Sequence, residues 1–586
     1  MALPVSFLLS FLAVRGFRFS VTPNGFSLRN TESFDWLLIF IFFTWALYVI
    51  FKEPDKRIKK YAALFSACVT VFYTVGKSLE ERGTLTWIWE SKTILLNYLN
   101  LFFSHMILYY CAAFLVFRLL RDKSCSKPDQ HHTVFSIRKV LFFWALLLII
   151  YIPWYLYCYP GVMTYDSGDQ VRDALSVNTL SDFNPAFITL ILRFILIPVQ
   201  KLTGSVQVGI GICSFLQMLI VTFVFALTIE RIFSYLQNWC LRIIVLAWYA
   251  LYPVNNIYSV TMWKDILFSV CMLGFLLCID SAVSNEKSFF SRKRTQFFLF
   301  LTMLLLPLLR HNGISISLIM SLYLLFYFRG HRRQILLICG SSFLLFCIWQ
   351  FIIIPKIRTS TVPTGDFLSV PLQQITRILS YHHSEMDPKM RSEAESYFNV
   401  QNIWHEYDPQ LADPVKRHFN SELFKSDPLK FFSLWMKLGK VYKLEYIEAF
   451  LNNNYGYWYP ETRYWISSYG VIAGGTIEDV RTAPIVKIGI IDKIYNWYAY
   501  HKYMSTPLIP LLFSRGACFW LWVFCGVYCF YRNRRKFALV LPGYILWFFI
   551  LWSAVYNEYR YVYGLFICIP LVLSSVLSTG NNKEIT

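Results

Sequence analysis

The sequence predicts an all-α polytopic membrane protein with an extracytoplasmic, mainly helical domain. The first observation behind this prediction is composition: 56% of the 586 residues are hydrophobic and only 15% are charged. A soluble globular chain has about 45–50% apolar and about 25% charged residues, so too few charges remain here to cover a soluble surface. The second observation is that long apolar runs alternate with short basic clusters. Disordered, collagen-like and small disulfide-stapled classes are excluded.

Transmembrane helices are predicted wherever an apolar run approaches the length of about 20 residues that a bilayer requires. We expect about 13 crossings on this criterion. The runs cover residues 35–51, 61–76, 94–118, 140–158, 207–229, 241–257, 266–283, 294–309, 314–328, 335–355, 507–530, 538–556 and 560–578.

The net charge of +20 reflects membrane orientation rather than nucleic-acid binding, because much of it lies in short clusters between apolar runs. Cytoplasmic loops are enriched in Lys and Arg. All the clusters fall on the cytoplasmic side only if the ambiguous apolar run 185–199 lies along the outer surface without crossing. The N-terminus is then outside and the C-terminus inside. The clusters are Lys52–Lys60, Arg118–Lys139, Lys287–Arg294, Arg329–Arg333 and Arg532–Lys536.

This topology divides the chain into four regions. Residues 1–158 form the N-terminal transmembrane helices, and residues 159–356 form a transmembrane core with an outer acidic loop and a juxtamembrane helix. Residues 357–505 form the extracytoplasmic domain, because a polar segment of this length is unlike a structureless loop. Residues 506–586 form the C-terminal transmembrane helices.

An acidic motif follows the helix predicted at 140–158. Asp166, Asp169 and Asp173 are spaced i, i+3 and i+7, which places them on one face of a short helix. A carboxylate cluster at the mouth of a membrane helix suits a general base or a metal site. The structural alternative is a helix cap, in which Asp166 caps the helix and Asp169 reaches back.

Cations and further polar groups collect at four other positions on the same predicted face. Each has a structural alternative: a helix cap at Asn184, an ion pair at a helix start for Lys264 and Asp265, and a local pair at the last motif. The turn at 310–313 is alternatively a solvated tip. Charges so close to apolar runs are costly unless they are paired or face a cavity. The residues are Asn184, Lys264, Asp265, Arg310, His311, Asn312, Glu558 and Arg560.

An outward cavity with carboxylates and several cations suits a substrate that carries both a phosphate and a lipid. We expect the phosphate of a polyprenyl-phosphate-linked sugar to lie among Lys264, Arg310, His311 and Arg560, because guanidinium groups match phosphate oxygens. Asp166 would accept the proton of an acceptor hydroxyl, and the cations would stabilise the leaving lipid phosphate. Asp169, Asn184, Asn312 and Glu558 would support the site. No Walker motif, Gly-rich phosphate loop or zinc motif is present in the sequence.

The order of these motifs resembles the GT-C class of membrane glycosyltransferases. In that class a spanning helix leads into an outer loop with a catalytic acidic residue, followed by a juxtamembrane helix that commonly opens with a His-Pro-Pro-like signature. Here Tyr165-Asp166 stands at the acidic position, and Asn184-Pro185-Ala186 is a degenerate match to the opening. Asp265 looks like the second outer Asp of the class. A closer likeness is to bacterial GT-C-like membrane proteins.

The resemblance implies a GT-C fold and an inverting transfer outside the plasma membrane, with Asp166 and Asp265 as catalytic residues. It implies an undecaprenyl- or dolichyl-phosphate-linked donor and a glycan, lipid or protein acceptor. Metal use varies across the class, so it leaves a divalent cation, Mg²⁺ or Mn²⁺, open and supplies no metal site. Two alternatives remain: a flippase or transporter of lipid-linked glycans, and a polymerase or ligase of such glycans.

Overall fold

The computed structural model describes residues 2–17, 19–28, 33–123, 136–176, 180–358, 364–462, 484–553 and 556–578. Nearly all of the secondary structure in these ranges is helical. The sheet that they contain is a two-stranded antiparallel hairpin, in which β1 (Phe19–Thr22) pairs with β2 (Gly25–Leu28). Apart from this hairpin, the described part of the chain is all-α, which is compatible with a multi-pass helical membrane protein.

The described residues up to 358 form sixteen α-helices. They are α1 (Ala2–Phe17), α2 (Ser33–Lys52), α3 (Lys56–Arg82), α4 (Lys92–Lys123), α5 (Ile137–Tyr157), α6 (Tyr165–Leu175), α7 (Ala186–Thr203), α8 (Val206–Phe233), α9 (Trp239–Leu251), α10 (Pro253–Ser259), α11 (Lys264–Ser284), α12 (Glu286–Ser291), α13 (Lys293–Leu309), α14 (Gly313–Tyr327), α15 (Arg332–Ile348) and α16 (Ile354–Ile357).

The second half contains a helical domain and the last membrane helices. The described helices are α17 (Ser369–His382), α18 (Pro388–Ser396), α19 (Asp413–Arg417), α20 (Ser421–Ser426), α21 (Pro428–Val441), α22 (Lys443–Asn454), α23 (Gly489–Ala499), α24 (Ile509–Phe513), α25 (Arg515–Arg532), α26 (Phe537–Ser553) and α27 (Tyr563–Leu577).

Ten helical stretches in the described ranges are long and apolar enough to cross a membrane. Nine of them coincide with predicted spans. The tenth is α7, which covers the run predicted not to cross. The other four predicted spans fall on shorter or interrupted helices, including α13 and α14, so the total of 13 crossings stays a prediction. In α11 and in the stretch that contains α27, 72% of the most apolar window is buried, which places these two helices at the centre of the bundle.

All five basic clusters meet at one end of the bundle, which we call the basic end. Arg121 pairs with Glu53 at 2.8 Å, and the Arg57 guanidinium donates to the backbone oxygen of Tyr531. The Tyr327 hydroxyl donates to the backbone of Arg535, and His331 lies 3.8 Å from Glu286. These contacts connect the loops of all five clusters, as an orientation rule based on positive charge requires.

The opposite end, which we call the site end, is where α5 ends and α11 begins. Helix α8 runs antiparallel to α5, since Tyr155 near the end of α5 donates to Gly211 near the start of α8. Helix α7 begins beside the start of α11 and leads through two residues into α8. Both ends of α7 therefore contact the site end, although length and composition alone would let α7 cross.

The polar segment after α16 forms a helical domain with a hydrophobic core of its own. Leu372, Ile375, Phe431 and Leu438 lie in that core and are fully buried. The domain contacts the site end, because Leu411 forms a β-bridge with Tyr556. The domain boundaries at 357 and 505 stay predictions.

Candidate functional site

Two loops at the site end are held together by backbone bonds. Val162, after α5, donates to Val260, and Met262 donates back to Val162, with N···O distances of 2.9 and 3.0 Å. Gly161 makes this approach possible. Its φ of +142° is rarely open to other residues, and an added Cβ would lie 3.0 Å from the Val260 oxygen. The start of α6 is thereby fixed beside the start of α11.

Asp166 lies in the first turn of α6 and faces the start of α11. The N-cap residue of α6 is Thr164, and its side chain makes no capping hydrogen bond. The alternative in which Asp166 caps the helix is therefore wrong. Ser167 donates to the backbone oxygen of Met262 and anchors the helix. Asp166 is 2.6 Å from Arg560 and 3.9 Å from Lys264, and 19% of its side chain is exposed.

Arg560 is the centre of the site. Besides Asp166 it contacts Glu558 at 2.6 Å and lies 3.9 Å from Asp265. Its guanidinium also donates to the Tyr556 hydroxyl at 3.0 Å and lies 4.9 Å from the centre of the Trp263 ring. A guanidinium with three carboxylates around it serves first to hold them together.

Asp265 and Arg310 form a second pair, in which Asp265 is fully buried and the Arg310 side chain is 11% exposed. The Oδ1···Nη1 distance is 2.7 Å, and the angles of the contact are not those of a hydrogen bond. Neither carboxylate oxygen of Asp265 has a hydrogen-bond partner in the structure. Arg310 also lies over Tyr561, 4.6 Å from the ring centre. The arrangement leaves a buried carboxylate that could still accept hydrogen bonds from a ligand.

The remaining predicted residues divide between the site and its surroundings. Lys264 donates to Asn184, which ties the start of α7 to the start of α11. His311 contacts the backbone oxygen of Asp182 at 3.0 Å and so lies on the edge of the site. Asn312 is the N-cap residue of α14, but its side chain makes no capping hydrogen bond. Asp169 faces solvent and pairs with Arg172, apart from the other carboxylates.

Several site residues were not among the predicted ones. Trp263, Tyr556 and Tyr561 surround Arg560, and Asp182 holds His311. The aromatic residues immediately flank the predicted motifs. Their position next to the predicted cations could therefore have indicated them, because an aromatic ring beside a buried cation offers a cation–π contact.

The site contains three carboxylates and three cations. Burial would raise the pKa of Asp166, but Arg560 and Lys264 outweigh it and hold that pKa below its usual value. Burial raises the pKa of Glu558 to about 7 against the opposing effect of Arg560, with Asp166 and Asp265 adding to the rise. Near neutral pH Glu558 is therefore partly protonated, and the cluster has an excess of positive charge that favours an anionic ligand.

An apolar cavity of about 160 Å³ opens beside Lys264 between α6, α7, α8 and α11. Ile191, Leu216 and Ile220 line it, and their side chains are also exposed on the outside of the bundle, at 42, 43 and 49%. In a bilayer this apolar perimeter contacts lipid. The cavity therefore connects the lipid-facing surface with the charged cluster.

The described part of the chain contains no group of three or more His, Cys, Asp or Glu residues placed to hold a metal ion. The site carboxylates are paired with Arg and Lys instead. The chemistry supported by the visible residues is therefore the binding of an anion next to an ionised carboxylate.

Comparison with known proteins identifies a family. Residues 175–584 match the model of DUF6020, a family of unknown function, and the match covers well over half of the chain. The chain belongs to that family. The match includes Lys264, Asp265, Arg310 and Arg560. No curated protein and no solved structure matches the chain.

Proposed function

We propose that this member of the DUF6020 family is a membrane glycosyltransferase that moves a sugar from a polyprenyl-phosphate donor to an extracytoplasmic acceptor. The observation that carries the proposal is the cavity that runs from the lipid-facing surface of α7 and α8 to Lys264. A lipid phosphate needs both an apolar groove for its chain and cations for its head group. Such a cavity supports a substrate that enters from the membrane.

The reaction is a single displacement with inversion. The acceptor hydroxyl oxygen forms a bond to the anomeric carbon, the bond from that carbon to the phosphate oxygen breaks, and the electron pair leaves with the lipid phosphate. Asp166 takes the hydroxyl proton, and its lowered pKa keeps it ionised before the reaction. Lys264 and Arg310 stabilise the charge that grows on the leaving phosphate.

The positions of the charges favour a transferase over a transporter. Helix α11 carries Lys264 and Asp265 at the site end and Asp280 near the basic end, with no charged residue between them. Transport would need polar groups along a pathway through the membrane. A polymerase or ligase of lipid-linked glycans would use the same donor site with a different acceptor.

The proposed side of the membrane is inferred from the position of the basic clusters. All five basic clusters meet there, and Asp280 near the end of α11 lies 3.8 Å from Lys536 of the fifth cluster. The site end is therefore expected to face away from the cytoplasm. Labelling from outside whole cells is the matching test, and it is described in the Discussion.

The test of the donor is the release of lipid phosphate, a product that does not depend on the identity of the sugar or acceptor. Purified protein is incubated with a series of polyprenyl-phosphate sugars and an envelope extract as the source of acceptor. Lys264→Met should need at least about tenfold more donor, because the loss of one charged hydrogen bond costs about 1.5–3 kcal/mol.

The matched control is Lys287→Met, a lysine at the basic end far from the site, which should leave donor use unchanged. Wild-type protein that releases lipid phosphate from none of the donors would refute the transferase. Lys264→Met with the donor requirement of wild type would remove Lys264 from the donor site.

A further inference from the structure

A second cation lies buried near the site without a carboxylate partner. Arg515 is the first residue of α25 and is only 3% exposed. Within the described ranges its single hydrogen bond runs from Nε to the backbone oxygen of Gly456, at 3.1 Å, and no carboxylate lies within ion-pair distance. The ionisable groups that act on it most strongly are Tyr457, Tyr503, Tyr559 and Tyr498.

The contrast with Arg560 shows what is unusual about Arg515. Arg560 is equally buried, but it lies against Asp166, Glu558 and Asp265. An ionised group out of water costs several kcal/mol unless it is paired. Tyrosine hydroxyls and one carbonyl do not neutralise the charge of Arg515. A ligand with negative charge would do so.

Other buried polar groups without partners lie in the same region of the fold. Asn557 is fully buried, and neither its amide oxygen nor its nitrogen has a hydrogen bond. Its side chain touches Gly456, whose carbonyl accepts from Arg515. The Tyr258 hydroxyl is also fully buried and without a bond, and the Tyr498 hydroxyl makes none among the described residues. Buried polar groups are rarely left unsatisfied unless a ligand or water completes them.

These residues adjoin the site described above. The Tyr258 ring packs edge-on against Trp263 at 5.4 Å, and Arg560 lies over the Trp263 ring. Tyr457 donates to the Tyr556 backbone and accepts from the backbone nitrogen of Glu558. Because Arg515 donates to Gly456, and Tyr457 beside it binds the backbone of Tyr556 and Glu558, Arg515 lies close to the segment that carries Arg560.

We propose that Arg515, Asn557 and Tyr498 form a second anion-binding subsite, which takes a carboxylate or phosphate group of the acceptor. Arg515 supplies the charge, and the amide and hydroxyl supply hydrogen bonds, all from buried side chains. The binding of an anion stands on the local geometry alone, whereas the assignment to the acceptor rests on the proposed glycosyltransferase. An anionic acceptor would be held beside Asp166, where its hydroxyl must arrive.

Anion binding is tested by thermal unfolding of the purified protein while inorganic phosphate, or separately acetate, is titrated. The background is Lys264→Met, which removes one of the two proposed donor cations. In this background at least one anion should still raise the unfolding temperature, and the anion with the lower midpoint identifies the acceptor group. Adding Arg515→Met to this background should abolish the increase in unfolding temperature. Adding Tyr498→Phe should raise the anion concentration at the midpoint at least about threefold, as the loss of one neutral hydrogen bond would.

A structural role for Arg515 makes a different prediction. Arg515→Met would then lower the unfolding temperature equally with and without anion, and this result would overturn the subsite. So would an unfolding temperature that neither anion changes in the Lys264→Met background. If Arg515→Met fails to fold, Tyr498→Phe decides, because it removes one hydroxyl that holds no bond. None of these results depends on sugar transfer, so failure of the subsite and failure of the proposed function are distinguishable.

Discussion

At the residue scale, two carboxyl groups of one site, Asp166 and Glu558, differ in their protonation behaviour. Asp166 is kept ionised by Arg560 and Lys264, whereas burial raises the pKa of Glu558 to about 7. The same arginine contacts both groups. The difference arises because Lys264 and Arg310 also favour the ionised form of Asp166, whereas the nearby Asp166 and Asp265 disfavour the ionised form of Glu558. A carboxyl that binds its proton more tightly in the fold than in the unfolded chain makes stability depend on pH.

The predicted pH dependence follows from that linkage. Because the folded pKa of about 7 exceeds the usual value of 4.5, the contribution of Glu558 is full below pH 4.5. It decreases as pH rises and is lost above pH 7. In Glu558→Gln this decrease between pH 4.5 and 7 should be absent. Thermal unfolding across that range measures it, and equal slopes in wild type and variant would contradict the account.

Gly161 permits a second prediction at the residue scale. Gly161→Ala should lower stability by about 1–3 kcal/mol, since the φ of +142° is strained for alanine and the new methyl meets the Val260 oxygen. The matched control is Gly274→Ala inside α11, where the nearest atom is an ordinary 3.6 Å away. Denaturant unfolding should show the control as stable as wild type or more stable. Equal losses in both variants would contradict the role of Gly161.

The sequence predicts which site residues lie at the same end of the bundle, because the orientation of the helices determines which of their ends meet. Positive charge located the ends of the helices, so Asp166, Lys264, Arg310 and Arg560 were expected on one face. Asp169 was predicted to support the site, but in the structure it pairs with Arg172 and lies apart from the site carboxylates. The buried face of α6 follows Ser167, Gln170, Val171 and Ala174, which leaves Asp169 outside it despite its i+3 spacing. The pairing of Arg560 with carboxylates from three motifs depends on tertiary contacts that spacing does not encode.

At the element scale, α11 connects two charged clusters at opposite ends. Its first turn carries Lys264 and Asp265, and Asp280 near its end pairs with Arg231 at 2.5 Å. Asp280 also accepts from Tyr235 and Ser575 and lies 3.8 Å from Lys536. This second cluster joins α8, α11 and α27 at the basic end. Its groups have partners within the cluster, which indicates a structural role.

Breaking that cluster should be costly. Asp280→Asn leaves Arg231 and Lys536 without their buried counter-charge, and loss of one partner of a buried pair costs about 3–5 kcal/mol. Ser575→Ala removes one hydroxyl from the same carboxylate and should cost about 1–3 kcal/mol. Unfolding measurements on both variants test the ranking. A larger loss in Ser575→Ala would contradict it.

Whether α7 crosses the membrane is a second question at the element scale. Length and apolar composition allow α7 to span, but its start contacts Lys264 and its end leads into α8 at the same end of the bundle. If α7 does not cross, Ser288→Cys at the basic end is labelled only from the cytoplasm and Lys389→Cys only from outside. Native cysteines at 68 and 240, which are exposed, are removed first. Labelling of Ser288→Cys from outside would overturn the orientation.

At the scale of the whole molecule, the basic clusters and the candidate site lie at opposite ends of the bundle. The basic clusters lie at one end, which the positive-inside rule predicts to face the cytoplasm, and a smaller set of cations at the other end faces three carboxylates. The all-helical, multi-pass fold and a helical polar domain were predictable from composition and the length of apolar runs. The number of crossings was not, because helices such as α13 and α14 are too short for length alone to decide.

The measurement that tests the central claim most directly compares two aspartates of α6 in the release of lipid phosphate from a polyprenyl-phosphate sugar. Asp166 lies in the site, whereas Asp169, three residues later, pairs with Arg172 in solvent. Asp166→Asn should lower the turnover rate by about 10²–10⁴-fold, the usual effect of a general base, while Asp169→Asn should stay within about twofold of wild type. Equal turnover in the two variants would contradict the assignment of Asp166 and the site built around it.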